Sequence, residues 1–215
     1  MRSILFASAS VMAIGLLASS GMAQAFNIDF GTASPVPSVS YGAASGQAGH
    51  WNVFSGGPTA LQNTAAAATG VSIVDSLVSF PSGANDPLTL GDDDALLDDY
   101  MAVPFHAVYT VNGLAAGTYD VYGYTWTFGP LSTGIDVNTQ GVQVIGGVWP
   151  GSFTPGSYSL HTVTLAASQP LVIDVYSING ALGAIAGVQI VPVPAPGAAA
   201  GLLLGAGVVM GRRRR

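Results

Sequence analysis

Between residues 26 and 191 the chain is cut into short runs in which apolar and polar residues alternate, the period of strands that bury one face. Residues 118–127 and 158–165 show it most clearly, and 170–177 and 185–191 follow the same pattern. Residues 26–30 read as an opening strand that ends at Gly31, with 51–54, 69–80 and 106–111 as further strands. Asn112-Gly113, Gly129-Pro130 and Asn179-Gly180 punctuate them, and residues 32–49, rich in Ser, Pro and Gly, read as a loop. One helix is predicted over 93–101, where Leu96, Leu97 and Tyr100 recur at three- and four-residue spacing. No internal repeat is sustained. Many short strands parted by Gly and Pro turns predict an all-β fold, an antiparallel β-sandwich or jelly roll with that one short helix.

The two ends break this pattern. Residues 1–25 read as a secretory signal peptide: Arg2 gives the charged start, residues 4–18 the apolar run, and Ala23-Gln24-Ala25 the small-x-small pattern. Cleavage there leaves Phe26 as the new N-terminus. The competing reading, an uncleaved anchor, is disfavoured by the small residues 18–25 that follow the apolar run. The other end runs Val191-Pro192-Val193-Pro194-Ala195-Pro196, then an apolar stretch 197–211, then Arg212, Arg213, Arg214 and Arg215. Fifteen helical residues span about 22 Å, short of a hydrocarbon core of about 30 Å, so this helix predicts only transient membrane association. Its arginines would stay on the cytoplasmic side, leaving 26–190 as one outward-facing domain and 191–215 as a separate terminal signal.

A Pro-rich motif, a short apolar helix and a terminal Arg cluster, in that order, resemble the PEP-CTERM sorting signal of bacterial exosortase substrates. The family's usual Glu between prolines is Ala195 here, in Pro194-Ala195-Pro196, and Val193-Pro194-Ala195-Pro196-Gly197 is similar to variants of the motif. The resemblance implies recognition by an exosortase-type membrane transpeptidase, cleavage near the prolines, and transfer to the cell surface or its polysaccharide matrix.

Charge narrows the partners. All eleven acidic residues are Asp, from Asp29 to Asp174, while the five cations are Arg2 and the four closing arginines. The body therefore has no Lys or Arg with which to neutralise phosphate, which argues against nucleic acid and anionic membranes. Its carboxylates must be solvated, hydrogen-bonded or metal-bound. Cysteine is absent, which removes disulfides, thiol chemistry and thiolate metal sites, and a body of about 165 residues buries a core without them.

Within the body, Gly113-Leu114-Ala115-Ala116-Gly117-Thr118-Tyr119-Asp120-Val121-Tyr122 resembles the central strand of galactose-binding-like and malectin-like sandwiches. Residues 171–174 and 184–190 are similar to their closing strands. The resemblance implies carbohydrate binding, with no sugar-contacting residue carried over to a numbered position.

Candidate chemistry follows two clusters. Alternation in 118–127 puts Asp120, Tyr122, Tyr124 and Trp126 on one face, an aromatic row that suits stacking against sugar rings; the commoner fate of such rings is burial. Trp126, beside Gly129-Pro130, is the better loop-side ligand contact, and Trp51 and Trp149, next to turn residues, share the two readings. Asp92, Asp93, Asp94, Asp98 and Asp99 form the densest charge cluster, chemically suited to a structural Ca²⁺. They lack EF-hand spacing and its closing Glu, so the spacing favours a solvated acidic turn with Asp at a helix N-terminus. Beyond that, no cofactor is expected. His50, His106 and His161 lack metal-ligand spacing, and neither a Gly-x-Ser-x-Gly elbow nor a phosphate loop occurs. The sequence thus predicts an exported, surface-sorted, non-catalytic component of the cell envelope or extracellular polysaccharide matrix. A carbohydrate-binding module is the alternative, and a glycan-acting enzyme a distant third.

Overall fold

The structure, a computed structural model, describes residues 24–32, 35–76, 78–125, 132–178 and 182–194. In chain order the strands are β1 (Phe26–Phe30), β2 (Trp51–Phe54), β3 (Thr59–Gln62), β4 (Ala68–Asp75), β5 (Phe80–Gly83), β6 (Asp99–Val103), β7 (His106–Asn112), β8 (Gly117–Tyr124), β9 (Ser132–Val137), β10 (Gln143–Gly146), β11 (Tyr158–Leu165), β12 (Leu171–Ser177), β13 (Gly183–Ile185) and β14 (Gly187–Pro192). One α-helix, α1 (Asp92–Leu97), and a 3₁₀ turn at Ala43–Ser45 complete the described elements.

A five-stranded sheet, β11-β8-β14-β1-β2, faces a six-stranded one, β10-β9-β12-β7-β4-β3, and a small sheet, β13-β6-β5, closes one end. Every pairing is antiparallel except β1 with β2. This is the β-sandwich the alternation predicts. The alternate residues Tyr119 and Val121 of β8, Val163 and Leu165 of β11, and Leu171, Ile173 and Val175 of β12 all turn into the core between the sheets. Burial of each such side chain contributes about 1.5–3 kcal/mol. Phe30, Phe54 and Tyr109 lock the centre, their rings meeting edge-on at 5.1 to 5.9 Å.

Side-chain amides fasten both lateral seams. At one, Gln143 of β10 accepts from the Leu160 N–H at 2.9 Å and donates to the Leu160 carbonyl at 2.6 Å. At the other, Asn52 of β2 accepts from the Gln62 N–H at 2.7 Å and donates to its carbonyl at 2.8 Å. Each amide imitates a neighbouring strand where an edge would otherwise leave backbone groups open.

Several element boundaries differ from those read in the sequence. The helix ends at Leu97, because the Asp98 N–H caps it on the Asp94 carbonyl and Asp99 then starts β6, so Tyr100 and Met101 are strand residues. Residues 69–80 are two strands, β4 and β5: Asp75 accepts from the Gly57 N–H and the Ser79 hydroxyl and turns the chain between them. Residues 185–191 likewise divide at Ala186, where the chain leaves β13 in the small sheet and enters β14 in the large one. β3, β9 and β10 are additional strands.

At the ends of the described body, the Ala25 carbonyl accepts from Thr64 N–H, Phe26 opens β1, and Pro194 is exposed after β14. Ala23, Ala195, Pro196, Arg212, Arg213, Arg214 and Arg215 lie outside the described residues, as does the C-terminal apolar run. Among the described residues no helix is long and apolar enough to cross a membrane.

Candidate functional site

The outer face of β8 and β11 carries the row that the sequence picks out. Register pairs Tyr124 with Tyr158, Tyr122 with Leu160, Asp120 with Thr162 and Thr118 with Thr164, so all eight project from one side. Under the 147–153 loop the row is closed: the Phe153 ring lies 5.0 Å from Tyr124 and 4.9 Å from Trp149. The rest is open. Tyr122 and Tyr158, both half-buried, stand 5.6 Å apart at 34°, Leu160 is exposed, the Thr162 hydroxyl donates to Asp120 Oδ1 at 2.6 Å, and Thr118 and Thr164 share a hydroxyl bond at 3.0 Å. Burial, then the Asp120 and Tyr158 charges, hold the Tyr122 hydroxyl above the usual phenol range. It therefore stays protonated at neutral pH and keeps its donor.

Sequence reasoning places Tyr122 and Asp120 on this face, but β11 supplies the other half. Its alternation at Tyr158, Leu160, Thr162 and Thr164 was the available signal. The predicted aromatic contacts fare differently. Trp51 is only 2 % exposed and Trp149 6 %, both within an apolar cluster with Leu96, Leu97, Tyr124 and Ala186. The Trp51 indole donates to the Tyr41 carbonyl at 3.3 Å. Neither indole presents a broad face to solvent. Trp126 lies outside the described residues.

Of the five clustered carboxylates, Asp92, Asp93, Asp98 and Asp99 turn to partners outside the cluster, while Asp94 lies beside Asp98. Asp92 accepts from the Ser38 N–H and hydroxyl at 2.6 and 2.8 Å, and Asp93 accepts from the Tyr41 hydroxyl. Together they moor the 38–41 segment to α1. Asp98 accepts from the Asp86 N–H at 2.9 Å and the Thr89 hydroxyl at 2.8 Å, while burial and then Asp94 keep it above the usual carboxylate range. Asp99 turns away toward β1. Its carboxyl lies across Gly31 so closely that a Cβ there would sit 2.7 Å from it. Beside it Asp29, 1 % exposed and with no hydrogen-bond partner at Oδ1 among the described residues, is pushed up to about 9, first by burial and then by the Asp99 charge. Among the described residues no group of three or more His or Asp is placed to hold a metal ion.

No family model matches the chain, and no curated protein matches it. Solved structures do. The Bacillus subtilis protein YxiM superposes with a TM-score of 0.51 at 11 % identity, over 79 % of this chain and 40 % of its own. The Arabidopsis thaliana ANX2 ectodomain gives 0.48 at 13 % identity, over 80 % and 42 %, and a Bacteroides uniformis beta-glucuronidase 0.47 at 15 %, over 79 % and 18 %. The chain thus spans about two-fifths of the length of the first two. The likeness to YxiM shows the fold alone.

Neither His106 nor His161 shares the face that carries the tyrosine strip. His106, on the outer face of the six-stranded sheet, reaches Asp174 at 2.8 Å and stacks on Tyr176 at 4.5 Å. His161 is buried, its Nε2 3.0 Å from the Gly141 carbonyl. What the strip offers chemically is two ring faces, a row of threonine hydroxyls and one carboxylate, with no cation.

Proposed function

We propose that the protein is an exported, surface-sorted, non-catalytic β-sandwich whose β8–β11 face holds neutral polysaccharide of the cell envelope or extracellular matrix. The observation that carries this reading is the open Tyr122–Tyr158 strip on a body without Lys or Arg. Sugar C–H faces stack on aromatic rings, and the Thr118, Thr162 and Asp120 oxygens suit sugar hydroxyls. From Thr118 to Tyr122 the open strip runs about 14 Å at roughly 3.4 Å per residue, room for two or three rings in line. A neutral polymer approaches such an acidic surface without electrostatic cost, whereas phosphate polymers meet no cation. Export rests on the terminal signals, with an exosortase-type transpeptidase as the processing partner and membrane association only in transit.

Affinity electrophoresis through neutral polysaccharides is the test. Wild type is expected to be retarded on at least one, and Tyr122→Ala and Tyr158→Ala each to weaken binding about tenfold, the loss of ~1.4 kcal/mol. Undiminished retardation of both variants overturns the assignment of the strip. The sorting route has its own measurement. Protein recovered from the cell surface is expected to have an intact mass lacking residues 1–25 and Arg212, Arg213, Arg214 and Arg215. Mature protein that keeps the arginines would contradict that route.

A further inference from the structure

A second concavity lies at the opposite edge of the five-stranded sheet, at the seam where β2 meets β3. Its volume is about 500 Å³, within the range of small-ligand sites. Val36, Val39 and Val53 form exposed apolar walls, Val39 being 71 % exposed, and His50, Thr59 and Gln62 supply the polar groups. Asn52 also borders it, but its amide is committed to the Asn27 and Gln62 backbones. The side chains of His50, Thr59 and Gln62 are not committed. Among the described residues none of the three has a side-chain hydrogen bond to protein, so their donors and acceptors are available to a ligand.

The lining narrows the ligand class. Among the described residues no carboxylate, Lys or Arg borders the cavity, so a cation finds no counter-charge there and an anion meets a net-acidic body. A purely apolar ligand would desolvate an imidazole, an amide and a hydroxyl without replacing their water bonds, at a cost of about 1–3 kcal/mol each. A pyranose fits both demands, with C–H faces for the valines and hydroxyls for His50, Thr59 and Gln62. We propose that the β2–β3 cavity is a second, separate binding site for a neutral sugar unit, so that one copy of the protein joins two glycan segments. The tyrosine strip, on β8 and β11, lies three to four strand positions away, about 14–19 Å at ~4.8 Å per strand, so a disaccharide does not fill both.

The test titrates the isotope-labelled full chain with neutral gluco-, galacto- and manno-oligosaccharides of two to four units, followed by amide NMR. At least one series is expected to shift signals at His50, Val53 and Gln62. Ala60→Trp, which fills the cavity, is expected to abolish those shifts. His50→Ala combined with Gln62→Ala, which spares the backbone clamp from Asn52, is expected to weaken binding at least tenfold with little change in melting temperature. Tyr122→Ala is expected to leave the cavity shifts intact. Beads coated with the recognised glycan are expected to be cross-linked by wild type and not by Ala60→Trp. Silence at the cavity at millimolar sugar overturns the proposal, as does binding unchanged in Ala60→Trp, or capture there of extended peptides instead of sugars. Shifts confined to Tyr122 and Tyr158 would overturn this site and leave the strip standing; shifts confined to the cavity would do the reverse.

Discussion

Between pH 4 and pH 7 the Asp29 carboxyl is expected to cost the fold about 4 kcal/mol of stability, and Asp29→Asn is expected to abolish that loss. The cause is burial first and the neighbouring Asp99 second, which together push Asp29 from 3.8 to about 9 in the folded protein. In the unfolded chain it ionises near its ordinary value. Folding below pH 4 therefore requires no proton uptake by this group, and its full stability is present. From there to about pH 9 the folded state holds a proton that the unfolded state has released, and stability falls by about 1.4 kcal/mol per pH unit. Asp98 is raised too and slopes the same way, so the comparison with Asp29→Asn isolates one group. Urea unfolding of both proteins at half-unit pH steps is the measurement. Parallel curves for wild type and variant would refute a protonated Asp29.

Trp51→Ala is expected to destabilise the protein by about 3–5 kcal/mol, the range for removing a buried aromatic ring. Trp51 belongs to the apolar cluster that covers part of the outer face of the five-stranded sheet. α1 lies close enough there that a Cβ on Gly187 would meet the Leu96 side chain at 2.6 Å. The indole also holds the Tyr41 carbonyl, so its loss removes one of the tethers of the 38–47 segment. Denaturant unfolding at constant pH reads the effect. A variant within 1 kcal/mol of wild type that had lost polysaccharide retention would instead make Trp51 a ligand contact.

Much of the fold was legible because period-two alternation survives intact in β8, β11 and β12. Where Ser, Thr, Gly and Gln fill the positions, as in Ser132–Val137 and Gln143–Gly146, the pattern is too weak to mark a strand, and β9 and β10 go unread. The helix was read too long because Tyr100 continues the spacing of Leu96 and Leu97, while what ends it is the demand of β6 for Asp99. Half the strip was legible in residues 118–124, but pairing with Tyr158 is a long-range fact of register. The same holds for Trp51: local turn residues suggested a surface ring, and it is buried in a cluster with α1 and against Tyr41. The acidic cluster was a sequence neighbourhood that the fold takes apart, since Asp92 and Asp93 answer Ser38 and Tyr41 more than fifty residues earlier.

The placement of β14 has a mechanical consequence. It is an interior strand, antiparallel to β8 on one side and β1 on the other, paired from Gly187 to Pro192 and from Gly187 to Ile190 respectively. A protein tethered through its C-terminus on a surface under flow takes the pull along the axis of this strand. The bonds on both flanks are then strained together in shear, whereas an outermost strand pulled sideways would open one bond at a time. Because Phe26 pairs with Ile190, both ends of the described body lie at one pole of the sheet, and α1, Trp149 and Phe153 lie toward the other. Under the proposed surface attachment, drag on a polymer held at the strip would therefore load β14 along its length, in shear against both neighbours.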